Sequence, residues 1–264
     1  MPDATHNALR PLGPNPRNRW LVGPARADLV RPERPARPLE LPALPKPVRL
    51  DLARTALLVI DMQNDFCHPE GWLAGIGVDV APARAAIAPI AALLPPLRAA
   101  GVPVVWVNWG ARPDRANLSP ALLHVYDGSG EGGGIGAPAG PRASPVLQEG
   151  AWSACIVDEL APAPEDLHIA KHRMSGFWDT PLESALRNLR VDTLLFAGVN
   201  ADQCVLHTLA DANFLGFDTV MIEDATATTS PAFCMAATLY NVRQIFGFTL
   251  RSPDLSAALA GDAP

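Results

Sequence analysis

The run Thr55-Ala56-Leu57-Leu58-Val59-Ile60 constrains this chain more than any other feature, because six residues so apolar face water on neither side. A half-exposed strand would alternate polar and apolar positions, and a surface helix would repeat every three to four. A strand buried on both faces fits, and that is the environment inside a parallel sheet. Runs of similar texture recur at Val102-Pro103-Val104-Val105-Trp106-Val107, Leu167-His168-Ile169-Ala170, Thr193-Leu194-Leu195-Phe196-Ala197, Thr219-Val220-Met221-Ile222 and Gln244-Ile245-Phe246-Gly247-Phe248. Helical stretches fall between them, at roughly 81–100, 181–190, 204–216 and 231–242, the first interrupted by Pro89 and Pro95. Strand and helix in alternation predict an α/β fold: a doubly wound, Rossmann-like, mainly parallel six-stranded sheet with helices on both faces.

The first fifty residues have a different character. They hold eleven of the 28 prolines and little apolar periodicity, so they cannot supply a helix or a central strand. Residues 1–50 are read as a Pro-rich N-terminal arm, either disordered or extended along the domain or a neighbouring subunit, and 51–264 as the folded domain. Trp20, Leu21 and Val22 are apolar anchors for a docked arm. Asp127 to Gly136 holds six glycines in ten residues and reads as a flap near a site or a plain surface loop.

A net charge of −6 and the lack of a long Lys/Arg run argue against nucleic acid and anionic membranes as partners. No stretch approaches the ~18 apolar residues of a membrane span. The Pro-rich start does not resemble a signal peptide, so a cytoplasmic location is expected. Cys67, Cys155, Cys204 and Cys234 are widely spaced, and free thiols are expected rather than a disulfide framework.

Ligands of open parallel sheets bind beyond the carboxyl ends of the strands, so the residues just after each run carry the information. The first run ends in Asp61, the run near 168 leads to Lys171, and the run near 195 passes through Gly198-Val199-Asn200-Ala201-Asp202-Gln203 into Cys204. Lys171 and Lys46 are the only lysines in the chain, and arginine supplies every other strong base. A compact ammonium between a carboxylate and a thiolate would stabilise both anions. Asp61, following five apolar residues, is expected to have its pKa raised by burial toward that of a usable base. Cys204 is expected to open a helix, whose positive end would lower the thiol pKa. The bland readings are a capping aspartate, a solvated lysine and a small buried cysteine; the convergence of all three on one sheet edge favours nucleophilic chemistry.

These residues resemble the isochorismatase-like cysteine hydrolases, a superfamily that includes nicotinamidases, N-carbamoylsarcosine amidohydrolases, biuret hydrolases and ureidoacrylate amidohydrolases. The likeness runs from about residue 54 to 252. It is carried by Leu58-Val59-Ile60-Asp61-Met62-Gln63-Asn64-Asp65-Phe66, by Lys171 with Ser175-Gly176-Phe177, and by Gly198-Val199-Asn200-Ala201-Asp202-Gln203-Cys204-Val205. The stretch Met174 to Leu182 and the spacing after Cys204 look closest to the ureidoacrylate branch, with biuret-type hydrolases next. The resemblance implies Asp61, Lys171 and Cys204 as a catalytic triad and a cis peptide between Val199 and Asn200. It also implies an oxyanion hole from the N–H groups of Asn200 and Cys204. The substrate would be a small amide or ureido compound, cleaved through a thioester without any cofactor, by a homodimer or homotetramer.

Gln63, Phe66, Asn108, Trp109, Phe177 and Trp178 are candidates to line the pocket, combining flat apolar faces with amides. Three departures matter, one being that the long Pro-rich arm is not a general feature of the family. A small residue usually stands at the position of Asn200, so this side chain is expected to reach the substrate. The nicotinamidase metal pattern is replaced by Asn108-Trp109-Gly110, so no metal is expected. Among rivals, a zinc site built from Cys67, His68, Cys204 and His207 fits no common ligand spacing. The Gly-rich segment does not join a strand to a helix as a dinucleotide fingerprint would, and no Gly-x-Ser-x-Gly elbow is present. Lactam hydrolysis by the same triad and non-catalytic ligand binding remain as alternatives.

Overall fold

The computed structural model of the chain describes residues 9–31 and 33–261. Its centre is a six-stranded, all-parallel sheet: β1 (Thr55–Ile60), β2 (Val104–Trp109), β3 (Leu167–Lys171), β4 (Thr193–Gly198), β5 (Asp218–Thr226) and β6 (Phe248–Leu250), in the spatial order β3-β2-β1-β4-β5-β6. All six residues of β1 and of β4 are buried, as central strands covered on both faces must be. The order reverses between β1 and β4. Helix α1 (Ile87–Ala99) precedes β2, α2 (Leu182–Asn188) precedes β4, α3 (Leu206–Phe214) precedes β5, α4 (Ala232–Asn241) precedes β6, and α5 (Ser252–Gly261) follows it. Right-handed crossovers put α1 on one face and α2, α3 and α4 on the other. α5 packs beside α1. The doubly wound fold expected from the alternation of runs is the one observed.

Three local expectations are corrected. The last strand is Phe248–Leu250 rather than 244–248, because Val242–Phe246 continue α4 as a wide helical turn. Gly247 ends that turn where a Cβ would lie 2.2 Å from the carbonyl oxygen of Thr219. The helix expected over 81–100 is two pieces, Ala81–Arg84 and α1, and Pro95 and Pro96 lie inside α1. The helix expected from 204 begins instead as a wide π-type turn, Ala201–Val205, before α3.

The Pro-rich arm forms antiparallel pairs away from the central sheet. Residues Arg10–Leu12, Trp20–Val22 and Ala27–Asp28 make one small sheet, and Pro38–Leu41 with Val48–Asp51 make a hairpin. Leu39, Leu41 and Leu50 of the hairpin are buried in the same apolar core as the central strands. Leu44 bridges Thr249 of β6, so this part of the arm is built onto the sheet edge. Among the described residues, no helix is long and apolar enough to cross a membrane.

Candidate active site

The strand-order reversal places the carboxyl ends of β1 and β4 side by side, the position at which open α/β sheets bind their ligands. Asp61 follows β1 directly, with a φ of 52°, a left-handed conformation that aspartate adopts more readily than bulky residues. Across from it, Gly198 ends β4 at φ 114°, and a Cβ there would lie 2.0 Å from the carbonyl oxygen of Ile60. Only glycine lets the two strand ends come this close. The cis peptide between Val199 and Asn200 follows, and the wide turn then delivers Cys204 beside Asp61.

Lys171 arrives from farther away. It ends β3, two strands from β1, a separation of roughly 10 Å at the usual spacing of parallel strands. A long, unbranched side chain is therefore needed. Its ammonium lies 2.9 Å from Oδ2 of Asp61, 3.2 Å from Sγ of Cys204 and 3.1 Å from the carbonyl oxygen of Arg173. The contacts to the sulfur and to the carbonyl are hydrogen bonds, and the contact with Asp61 is an ion pair. On the way it passes over the Trp109 ring, 4.1 Å from its centroid, and a desolvated cation–π contact of this kind contributes ~2 kcal/mol. Asp61 and Lys171 are fully buried, and Cys204 retains 4% of its exposure. The three groups that the sequence separates by more than 140 positions form one desolvated cluster.

The electrostatics correct one expectation and match another. Burial, and next the charge of Asp61, push the Cys204 thiol up to about 12 despite the opposing pull of Lys171. The helix end does not produce a resting thiolate, because Cys204 sits within a wide turn in a dry pocket rather than at a solvated helix start. Burial also raises Asp61, against the attraction of Lys171 and the hydrogen bonds from Cys204 and from the Trp109 N–H. A carboxyl lifted in this way is a better proton acceptor than a surface aspartate.

The six proposed lining residues divide. Trp109 belongs to the cluster, with its backbone N–H donating to Oδ1 of Asp61 at 3.1 Å. Asn108 stands beside it at the end of β2 and holds a buried Oδ1 with no hydrogen-bond partner among the described residues. Phe66 is buried in the short helix Asn64–Cys67 after Asp61. Gln63 is committed to the backbone: Nε2 donates to the carbonyls of Trp109 and Ala154, both at 2.8 Å, and Oε1 accepts from the Trp109 N–H at 2.9 Å. It ties the ends of β1 and β2 together. Gln63→Leu should lower stability by about 2–4 kcal/mol in urea denaturation, since two buried carbonyls lose their donor.

Phe177 and Trp178 are not brought to the thiol. After Lys171 the chain turns along α3, where the Gly176 N–H donates to Oγ1 of Thr208. The Phe177 ring accordingly packs 6.0 Å from Phe217, at the opposite end of β5, and the exposed Trp178 donates from Nε1 to Asp211 of α3 at 2.8 Å. Asn200 also points elsewhere than expected. Its Oδ1 accepts from the Thr229 N–H at 3.0 Å, which anchors the loop after β5.

Two side chains near the sulfur escaped the sequence reading. Met174 Sδ lies 3.8 Å from Sγ of Cys204 and covers it. Tyr126 ends the helix Pro120–Tyr126, with its ring 5.3 Å from Trp109 and 5.5 Å from Trp72. Burial raises its hydroxyl pKa, and the charges of Cys204 and Asp61 raise it further, which puts Tyr126 at the same cluster. One signal was available, since Tyr126 is one of only two tyrosines and immediately precedes the Gly-rich segment. Among the described residues, no three His, Cys, Asp or Glu side chains group as a metal-ligand set.

Comparison with known proteins agrees with this architecture. The family model described as the isochorismatase domain matches residues 55–254. The ureidoacrylate amidohydrolase RutB of Rhizobium rhizogenes is 35% identical over 251 residues, which cover 90% of this chain and 96% of that protein. Of solved structures, a cysteine hydrolase from Pseudomonas syringae shares the fold with a TM-score of 0.69 at 23% identity, covering 88% of this chain and all of the other. The N-carbamoylsarcosine amidase of Thermoplasma acidophilum gives 0.57 at 27% identity, over 75% of this chain and 96% of its own. With a family match that begins at β1 and runs past β6, and a relative alike over nearly its whole length, the chain belongs to the isochorismatase domain family.

Proposed function

We propose that this protein is a cysteine amidohydrolase that cleaves the C–N bond of a small ureido acid, with Asp61, Lys171 and Cys204 as its catalytic residues. It is a hydrolase of C–N bonds other than peptide bonds. The observation that carries this reading is the contact of the Lys171 ammonium with both Asp61 and Cys204, at 2.9 and 3.2 Å, in a site closed to bulk water. The names of its relatives, a ureidoacrylate amidohydrolase and an N-carbamoylsarcosine amidase, support the ureido class.

A thiol near 12 is protonated at neutral pH, so its proton must leave as the C–S bond forms. Asp61 takes that proton while Sγ attacks the ureido carbonyl, and Lys171 balances the negative charge that develops on sulfur. The N–H groups of Asn200 and Cys204 receive the carbonyl oxygen as it becomes an oxyanion. Asp61 then passes the proton to the departing nitrogen, which leaves as an amine or ammonia. A water molecule, deprotonated by the same carboxylate, attacks the thioester carbonyl; the C–S bond breaks and the thiol is restored. Asn108, Trp109, Tyr126 and Phe66 frame the substrate.

The acid limb of kcat/KM reports Asp61. The carboxylate form is the active base, so activity rises with pH through the Asp61 pKa, which burial places above the usual aspartate value of 3.8. A pH profile of kcat/KM checks this, and an acid limb at an ordinary aspartate pKa would contradict it. To test the substrate class, product release is assayed over ureido acids, biuret, carbamoyl amino acids, nicotinamide and lactams. Ureido acids should show the highest kcat/KM. A preference for nicotinamide or lactams would reject the ureido class, and the absence of turnover on every C–N substrate would reject the amidohydrolase reading.

A further inference from the structure

The arm builds a second cavity at the far end of the sheet. Among the described residues, five guanidinium groups, from Arg17, Arg31, Arg34, Arg54 and Arg190, line a volume of about 530 Å³ together with Glu33, and Asp51 and Asp192 stand behind Arg54. Arg54 immediately precedes β1 and Arg190 lies in the turn before β4, so the cavity opens at the amino ends of the strands. The triad occupies their carboxyl ends. A chain whose net charge is −6 thus gathers five positive side chains around one opening.

Protein partners satisfy only part of this cluster. Arg54 pairs with Asp51 at 3.6 Å and Asp192 at 3.4 Å. Arg17 donates to the carbonyls of Ala53 and Gly101, at 3.2 and 2.6 Å, and Arg31 lies 5.8 Å from the Trp20 ring centroid. Asp51 and Asp192 are thus the counter-charges of this cluster, two carboxylates paired with Arg54, while these contacts of Arg17 and Arg31 are to neutral groups. Nη1 of Arg34 is shut off from solvent and has no hydrogen-bond partner among the described residues. Burial, with Arg34 adding its repulsion, pushes Arg17 down to about 10 against the attraction of Asp51, and burial and then Arg54 lower Arg34 against the attraction of Asp51 and Asp192. Two carboxylates offset only part of the repulsion among five guanidinium groups around one opening, and the forked donors of arginine suit the oxygens of a phosphoryl group.

We propose that this cavity binds a phosphate-class polyanion, a small molecule carrying two or more linked phosphoryl groups, with Arg34 and Arg190 as its principal ligands. Several cations call for several linked negative charges rather than a single one, and the volume admits a chain of phosphoryl groups. The site is separate from the triad, so the proposal stands independently of the hydrolase reading.

The test is calorimetric titration of the full chain at constant ionic strength with inorganic tripolyphosphate, orthophosphate, a nucleoside triphosphate and citrate. Tripolyphosphate should bind saturably at one site, at least tenfold more tightly than orthophosphate. A nucleoside triphosphate that binds more tightly still assigns the site to nucleotides, and equal affinity assigns it to the polyphosphate chain; either supports the proposal. The double variant Arg34→Gln/Arg190→Gln should weaken binding tenfold or more, and its unliganded unfolding temperature should not fall, because repulsion is relieved. Arg190→Gln alone, at an exposed position, serves as the check should the double variant misfold, and it should weaken binding as well. No saturable binding, undiminished binding in folded variants, or preference for citrate over tripolyphosphate would overturn the assignment.

Discussion

Cys204→Ser should abolish turnover while leaving the fold in place. The hydroxyl is close in size to the thiol and can still meet the ammonium of Lys171, so the core around position 204 loses little packing. Its chemistry is different. Burial already pushes the thiol to about 12, and a serine hydroxyl in the same dry pocket is far harder to ionise, beyond the reach of a carboxylate base. Without a competent nucleophile, kcat should fall by ~10⁴ to 10⁶, the scale at which removing a nucleophile removes covalent catalysis. Steady-state kinetics beside a thermal melt separates the outcomes: a melting temperature near that of the wild type with activity gone is expected. Substantial activity in a folded Cys204→Ser protein would exclude Cys204 as nucleophile.

The second large effect concerns the buried ion pair. In Lys171→Met the Asp61 carboxylate keeps its Trp109 N–H contact but loses its counter-ion, and breaking a buried pair on one side lowers stability by about 3–5 kcal/mol. Asp61→Leu should cost a similar amount by stranding the ammonium, and about 1 kcal/mol more because leucine is strained at a φ of 52°. The double variant Asp61→Leu/Lys171→Met removes both charges together, and replacing a buried pair by apolar groups of similar volume is often neutral or stabilising. The double variant should therefore recover most of the stability lost in either single variant, yet remain inactive. Urea denaturation of the four proteins gives the coupling directly. Additive losses in the double variant would mean that the two charges do not stabilise each other.

This contrast also explains what could be seen in the sequence. The sheet was legible because β1 and β4 carry no polar residue after their opening threonines, a pattern that two-sided burial favours. The proposed triad was legible for a related reason: Asp61 and Cys204 come after such runs, Lys171 closes the half-exposed edge strand β3, and the topology brings those ends together. Long-range side-chain packing was not legible. Gln63 looked like a substrate amide, but its three hydrogen bonds go to backbone supplied by β2 and by the segment near Ala154, neither of which is predictable from residues near 63. Phe177 and Trp178 sit near Lys171 in the chain, yet the turn at Gly176 directs them along α3. The thiol pKa was misjudged because the helix-end argument holds for a solvated terminus, whereas a wide turn and burial reverse its sign at Cys204. Tyr126 reaches the site from the seven-residue helix Pro120–Tyr126, too short for its periodicity to stand out in the sequence.

The central claim is that the substrate carbonyl becomes bonded to the sulfur of Cys204. Mass spectrometry of the enzyme, quenched in acid during turnover of a ureido acid and digested, tests it directly. The account predicts a transient acyl or carbamoyl adduct on the peptide containing Cys204, absent from the Cys204→Ala protein and lost on treatment with hydroxylamine. Turnover with no adduct on that peptide at any quench time, together with residual hydrolysis by Cys204→Ala, would contradict it.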